Sequence, residues 1–326
     1  MQVKHHIYLL IFLVFISSCL ERYWPDVDKY DELLVVDGLV SDAPGPYQVK
    51  LSLSSSLDEL IYNPLPEAIV TIEDDRGNLI HLSESGKGNY ETPADFQATT
   101  GSSYKLHVQT PDGRDYETEF QQLKEAPEID SLYADVEMRD TRNPDQPIGG
   151  YQFFVDVKPE NNEEGYYFWR MEEAYMYRSA FFIDYIYDGT MREMFDRDSV
   201  YLCYAQGKRS EIYTYDTKNL TDKNIDQLPL AFVSNQTPRL SMRYCLVLKQ
   251  YFISEEAYQY WNGIEKQRGD QGSLYSKQPY QIAGNLKNSN NPEEPVLGFF
   301  IVGGVKEKKI FVSRPPGIPI YIFTCA

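Results

Sequence analysis

Between residues 33 and 125 the chain alternates short β-prone runs with turn-forming clusters, a spacing that points to a small antiparallel all-β domain. Residues 34–40, 47–53, 68–73, 79–82, 89–92, 104–109 and 116–120 read as strands. The clusters between them include Ala43-Pro44-Gly45-Pro46, Arg76-Gly77-Asn78, Gly86-Lys87-Gly88 and Pro111-Asp112-Gly113, whose residues favour turn conformations. Alternation is cleanest where Tyr104, Leu106 and Val108 face one way and Lys105, His107 and Gln109 the other. Seven such strands imply an immunoglobulin-like or transthyretin-like sandwich over residues 33–126.

Pro127 marks a boundary, and residues 127–326 read as a larger antiparallel β-barrel or sandwich domain carrying one helix. Its expected strands include 132–138, 151–158, the long aromatic 166–177, 200–204, 211–215, 230–234, 239–252, 280–286, 296–302 and 309–313. Segment 296–302 is apolar on both faces, as in a central strand, and Gly303-Gly304 reads as a hairpin turn. The helix is expected over 254–268. Ser254 is placed to cap it, Glu255 and Glu256 lie in its first turn, and Lys266 and Arg268 lie in its last. Ala257, Tyr260, Trp261 and Ile264 recur on one face, which should be core.

The first 18 residues read as a processing signal. Lys4 precedes an apolar run over 7–16 that is short for a membrane span, and Ile16-Ser17-Ser18-Cys19 closes it. Small residues directly before a cysteine resemble the lipobox of bacterial lipoproteins, in which Cys19 receives the lipid. A plain secretory signal with an incidental cysteine is the alternative. Multiple acyl chains at Cys19 would give a stable anchor, with residues 19–32 as the tether. Leu20 follows Cys19 where many inner-membrane lipoproteins carry aspartate, so the outer membrane is the expected location. Glu21 alone stands for the acidic cluster of surface export, and the cell surface is expected over the periplasmic face. The formal net charge of −18 argues against a nucleic-acid partner.

In an oxidising compartment Cys203, Cys245 and Cys325 allow one bridge and one free thiol, and the sequence alone does not choose the pair. Alternation around 240–248 points Cys245 away from its apolar neighbours. Cys203 with Cys325 is therefore the expected bridge, pinning the C-terminal tail.

Four segments behind the lipobox carry a family resemblance: LVVDGLVSD (34–42), PEAIVTIEDDRGN (66–78), KQYFISEEAYQYW (249–261) and GNLKNSNNPEEPVLGFF (284–300). Together they resemble domain-of-unknown-function family 4249 of Bacteroidota lipoproteins. Cys203 sits where members of that family often carry a cysteine, and Cys245 departs from the pattern. The resemblance implies a context: such genes commonly accompany TonB-dependent outer-membrane transporters, so the implied role is an accessory subunit that caps, gates or feeds one. It brings no catalytic residues.

Residue types for catalysis are sparse. Beyond the signal only His81 and His107 could act as an imidazole base, and neither accompanies a G-x-S-x-G elbow. The histidines and cysteines lack zinc-ligand spacing, and the acidic groups Glu73-Asp74-Asp75 and Asp26, Asp28, Asp31 lack that of a calcium loop. Glu172 and Glu173, adjacent on a strand, should project to opposite faces and cannot act as a carboxylate pair. No catalytic residue, metal site or cofactor is therefore expected. The candidate contact residues are Phe181, Phe182, Tyr185, Ile186 and Tyr187. In a loop they would form a partner or ligand surface, for a transporter or alternatively for a glycan or peptide; in a strand they would be core.

Overall fold

The computed structural model describes residues 32–55, 61–141, 147–160, 162–181, 183–196, 201–269 and 282–318. The first part of the chain forms β1 (Leu34–Val40), β2 (Gln48–Leu53), β3 (Asn63–Pro64), β4 (Ile69–Asp74), β5 (Leu79–His81), β6 (Ser83–Gly86), β7 (Asn89–Glu91), β8 (Ser103–Gln109), β9 (Asp115–Thr118) and β10 (Gln121–Gln122). The second forms β11 (Ile129–Arg139), β12 (Ile148–Val157), β13 (Tyr166–Arg178), β14 (Tyr185–Tyr187), β15 (Met191–Glu193), β16 (Leu202–Lys208), β17 (Tyr213–Asp216) and β18 (Ile225–Ser234). A 3-10 turn at Pro238–Leu240 leads to β19 (Arg243–Ile253), helix α1 (Glu255–Gly269), β20 (Leu286–Asn288), β21 (Leu297–Val302) and β22 (Gly304–Ser313).

Two β-sandwiches result. In the first, a sheet ordered β21-β1-β2-β7-β6 faces one ordered β20-β9-β8-β4-β5. Between them Leu34, Val36, Val49, Leu51, Ile72, Leu106, Val108 and Tyr116 are fully buried, as strict alternation on half-buried strands dictates. In the second, β11-β12-β18 packs on β16-β13-β19-β22, with β17 also paired to β13. Tyr167, Trp169 and Met171 of β13 meet Phe153 and Val155 of β12 and Leu246 and Leu248 of β19. Neither pair of sheets closes, so the barrel alternative gives way to a sandwich.

The partition at Pro127 needs correcting. Strands β20 and β21, expected in the second domain, belong to the sheets of the first: β21 pairs parallel with β1 and β20 pairs antiparallel with β9. Segment 296–302 is apolar on both faces although β21 ends its sheet, because Phe300 and Val302 enter the first core while Phe299 and Ile301 enter another. Its outer edge is capped by side-chain amides, Gln121 Nε2 donating to Phe300 O at 3.0 Å beside Asn285. The Asn285 carboxamide accepts from Phe300 N (2.9 Å) and donates to Phe300 O (2.8 Å), replacing a neighbouring strand. Asn285→Ala leaves the Phe300 N–H buried without an acceptor and should cost about 1–3 kcal/mol, read as a lower urea midpoint at unchanged slope.

Gly303-Gly304 is likewise no hairpin turn. The chain crosses there from β21 in the first sandwich to β22 in the second, and a Cβ on Gly304 would lie 2.3 Å from Lys124 O. That second core of β21 is the joint between the sandwiches. Phe299 and Ile301 pack with Phe168, Tyr251 and Ile253 of the neighbouring sheet and with Ala257, Tyr260 and Trp261 of α1. Ser254 caps the helix, its Oγ accepting from Ala257 N at 3.2 Å. The apolar helical face read from sequence thus faces the core, with Ala257 buried and Tyr260, Trp261 and Ile264 half-buried, and the helix seals two domains rather than covering one. A buried amide ties the linker to the core: Gln250 accepts from Trp169 Nε1 (3.1 Å) and donates to Pro127 O (2.7 Å).

Candidate functional site: an exposed aromatic hairpin

The aromatic segment after β13 is a strand, but not a core strand. β14 and β15 form a hairpin pairing Tyr185 with Glu193, Ile186 with Arg192 and Tyr187 with Met191. Asp188-Gly189-Thr190 makes its loop, with Gly189 at φ +105. An Asp188–Arg192 ion pair spans the turn. Among the described residues these two strands pair only with each other, so a strand conformation here does not bring burial. Tyr185 is 58% exposed, Tyr187 76%, Phe181 67%, Met191 73% and Phe195 94%, with Ile186 half-buried. The expected alternatives, loop contact surface or core strand, are replaced by a third: a strand pair presenting aromatic side chains to solvent. Phe182 lies outside the described residues. The Asp188-Gly189 dipeptide following the β-prone Tyr185-Ile186-Tyr187 was the available signal for this hairpin.

The outer face of the β16-β13-β19-β22 sheet is also uncovered near this end. Ala174 and Met176, Tyr204 and Gln206, Arg243 and Cys245, and Phe311 line a shallow groove of about 580 Å3. Tyr204 and Phe311 are exposed, and the Arg243 guanidinium sits 4.6 Å from the Phe311 ring centroid. Burial pushes the Cys245 thiol up despite the nearby Lys309 and Arg243 charges, so it is protonated at neutral pH and a poor nucleophile. Among the described residues Cys203 and Cys245 form no disulfide. Cys203 faces inward opposite Tyr177, and its expected partner Cys325 lies outside the described residues, as does Cys19.

The groups with a conceivable catalytic role are dispersed. His81 Nδ1 lies 3.3 Å from Thr71 Oγ1 on one edge of the first sandwich, and His107 Nε2 lies 3.6 Å from Asp115 on its surface. Glu172 and Glu173 point to opposite faces: Glu172 pairs with Lys249 outside, while Glu173 is buried between the sheets. Among the described residues no three His, Cys, Asp or Glu side chains converge as a metal site.

Fold and surface together define an all-β protein of two sandwiches locked by a helical joint, with a cluster of exposed aromatic groups on and beside a hairpin. The chain belongs to the family described as Domain of unknown function (DUF4249), whose model matches residues 21–309. That span includes both sandwiches, the joint and the hairpin. No curated protein matches it.

Proposed function

We propose that the protein is an outer-membrane lipoprotein, anchored through Cys19, that serves as an accessory subunit of a TonB-dependent transporter, capping it, gating it or delivering substrate to it. The observation that carries the reading is the aromatic hairpin. Five large apolar side chains, Phe181, Tyr185, Tyr187, Met191 and Phe195, stand in water on an element outside both cores. Such a concentration is costly on a free surface and is the composition of an interface centre. The adjacent groove with Tyr204 and Phe311 extends the apolar surface. The lipobox supplies membrane attachment, and among the described residues no helix is long and apolar enough to cross a bilayer. No catalytic step is assigned to the protein.

Purification of the full chain from detergent-solubilised membranes should bring down a transporter barrel. The double variant Tyr185→Ala/Tyr187→Ala should lose it while its unfolding midpoint stays within about 0.5 kcal/mol of the parent, since neither ring is packed. Recovery of the lipoprotein without any barrel would overturn the proposal. Exposed tyrosines also suit stacking on sugar rings, so binding of a glycan or peptide by the isolated protein, abolished by the same double variant, would favour an independent binding role.

A further inference from the structure

The second sandwich is open along the side where its edge strands β16 and β18 diverge. There β13 changes partner from β16 to β17, and the link over 209–212 bridges the change. A cleft of about 330 Å3 lies at this point, lined among others by Glu173, Lys208, Arg209, Glu211, Phe232 and Arg239. Both carboxylates are matched from within. Glu173 Oε1 accepts from Arg239 Nε (2.8 Å), and its Oε2 accepts from Arg209 Nη1 (2.9 Å) and from the Tyr244 hydroxyl (2.9 Å). Glu211 accepts from Arg209 Nη2.

The cations keep donors to spare. Arg239 makes no hydrogen bond through its two Nη groups, and Lys208 forms no ion pair, among the described residues. Arg209, whose side chain is 9% exposed, has its Nε without an acceptor behind them. Three cations against two carboxylates leave the lining with one surplus positive charge, in a chain whose formal net charge is −18. Phe232 offers an apolar face, and its ring is held by the Arg139 guanidinium 3.9 Å from its centroid.

We infer that this cleft binds a small organic monoanion, whose carboxylate is held by Arg239 and Lys208 and whose body lies against Phe232. A guanidinium fork with two free donors fits the two oxygens of a carboxylate. The single surplus charge suits a monoanion and leaves a phosphate dianion undercompensated. The volume is at the small end of ligand sites, that of one sugar ring or a very short peptide. Because the acidic surface repels anions at long range, affinity must come from these short contacts. The inference does not rest on the hairpin, which lies beyond the opposite end of β16.

Two sources present such a carboxylate, a uronic acid sugar and a peptide C-terminus. Calorimetric titration of the purified full chain with galacturonate and with an N-acetylated dipeptide, each beside its neutral counterpart (galactose, the N-acetylated dipeptide amide), separates them. One acid should bind and its neutral counterpart should not, and the acid that binds identifies the source. Lys208→Gln removes an exposed cation that supports nothing else and should weaken binding about tenfold. Arg239→Lys keeps a charge beside Glu173, removes the fork and should weaken binding by as much, with thermal melts confirming that both variants fold. Equal binding of charged and neutral probes, unchanged affinity in both variants, or no binding of either acid at millimolar concentration would overturn the inference.

Discussion

Gly298→Ala should lower the stability of the protein by about 3 kcal/mol or more, a larger effect than a glycine-to-alanine change has at an open position. Gly298 sits in β21 at φ +83, which alone strains an L-residue. Its added Cβ would fall 1.9 Å from Val36 O and 2.7 Å from Val36 C and N, all backbone atoms of β1, the strand with which β21 forms its parallel pair. No side-chain rotation relieves that contact; β21 must move away from β1. Phe300 and Val302 then leave the first core, and Phe299 and Ile301 leave the joint under α1. Gly113→Ala is the control. Gly113 has φ +85 with nothing within 4 Å of the added Cβ, so it carries the dihedral strain without the clash and should cost about 1 kcal/mol. Urea unfolding of the two variants separates the terms, and equal losses would mean that the contact with Val36 is not what requires glycine.

That position also shows where the sequence stops being informative. Residues 297–302 read correctly as an apolar strand, because strand formation is written locally in alternation and β-propensity. Which sheet receives the strand is not. β21 pairs with β1 across more than half the chain, and nothing near Leu297 marks Leu34–Val40 as its partner. Domain boundaries drawn from local turn signals therefore stop at Pro127, while the fold returns to the first sandwich and leaves again at Gly303-Gly304. The helix was legible for the opposite reason: its cap, its charged ends and its apolar face all lie within sixteen residues of Ser254. Its role at the joint was hidden, since part of what it covers belongs to β21.

The candidate site divides in the same way. The aromatic content of 181–187 was visible, but exposure depends on whether another sheet covers the segment, and that is decided by the ends of β13 and β16 rather than by its own residues. The cleft was invisible. Glu173 was legible as an inward-pointing acid, yet its partners come from 209, 239 and 244, brought together by the end of edge strand β16, a 3-10 turn and the interior strand β19. The single pairing of Glu172 with Lys249 on the outer face gives no hint of that crowding.

Glu173→Gln is the second large effect, expected at about 3–5 kcal/mol at neutral pH, because removing one charge of a buried cluster leaves its partners uncompensated. Arg209 is nearly as buried as Glu173 and remains charged, its pKa raised by Tyr244, Glu211 and Glu173 against the opposing effect of its own burial. Burial also pushes up the Tyr244 phenol, which stays protonated and donates to the carboxylate. For Glu173 itself burial works toward a higher pKa, but hydrogen bonds from Arg239 and Tyr244 and the charge of Arg209 outweigh it, and the net shift is below the ordinary value of 4.5. A carboxylate with a depressed folded-state pKa contributes stability that is complete above its unfolded pKa and fades as pH falls through the folded one. The gap between wild type and Glu173→Gln should therefore be constant above about pH 5.5, narrow below pH 4.5 and close once the wild-type carboxyl is protonated, when both side chains are neutral. Paired urea titrations from acid to neutral pH measure it directly. A gap that persists undiminished in acid would assign the loss to packing around the side chain, and a gap under about 1 kcal/mol at neutral pH would mean that Arg209 and Arg239 find solvent or other acceptors as readily as they find Glu173.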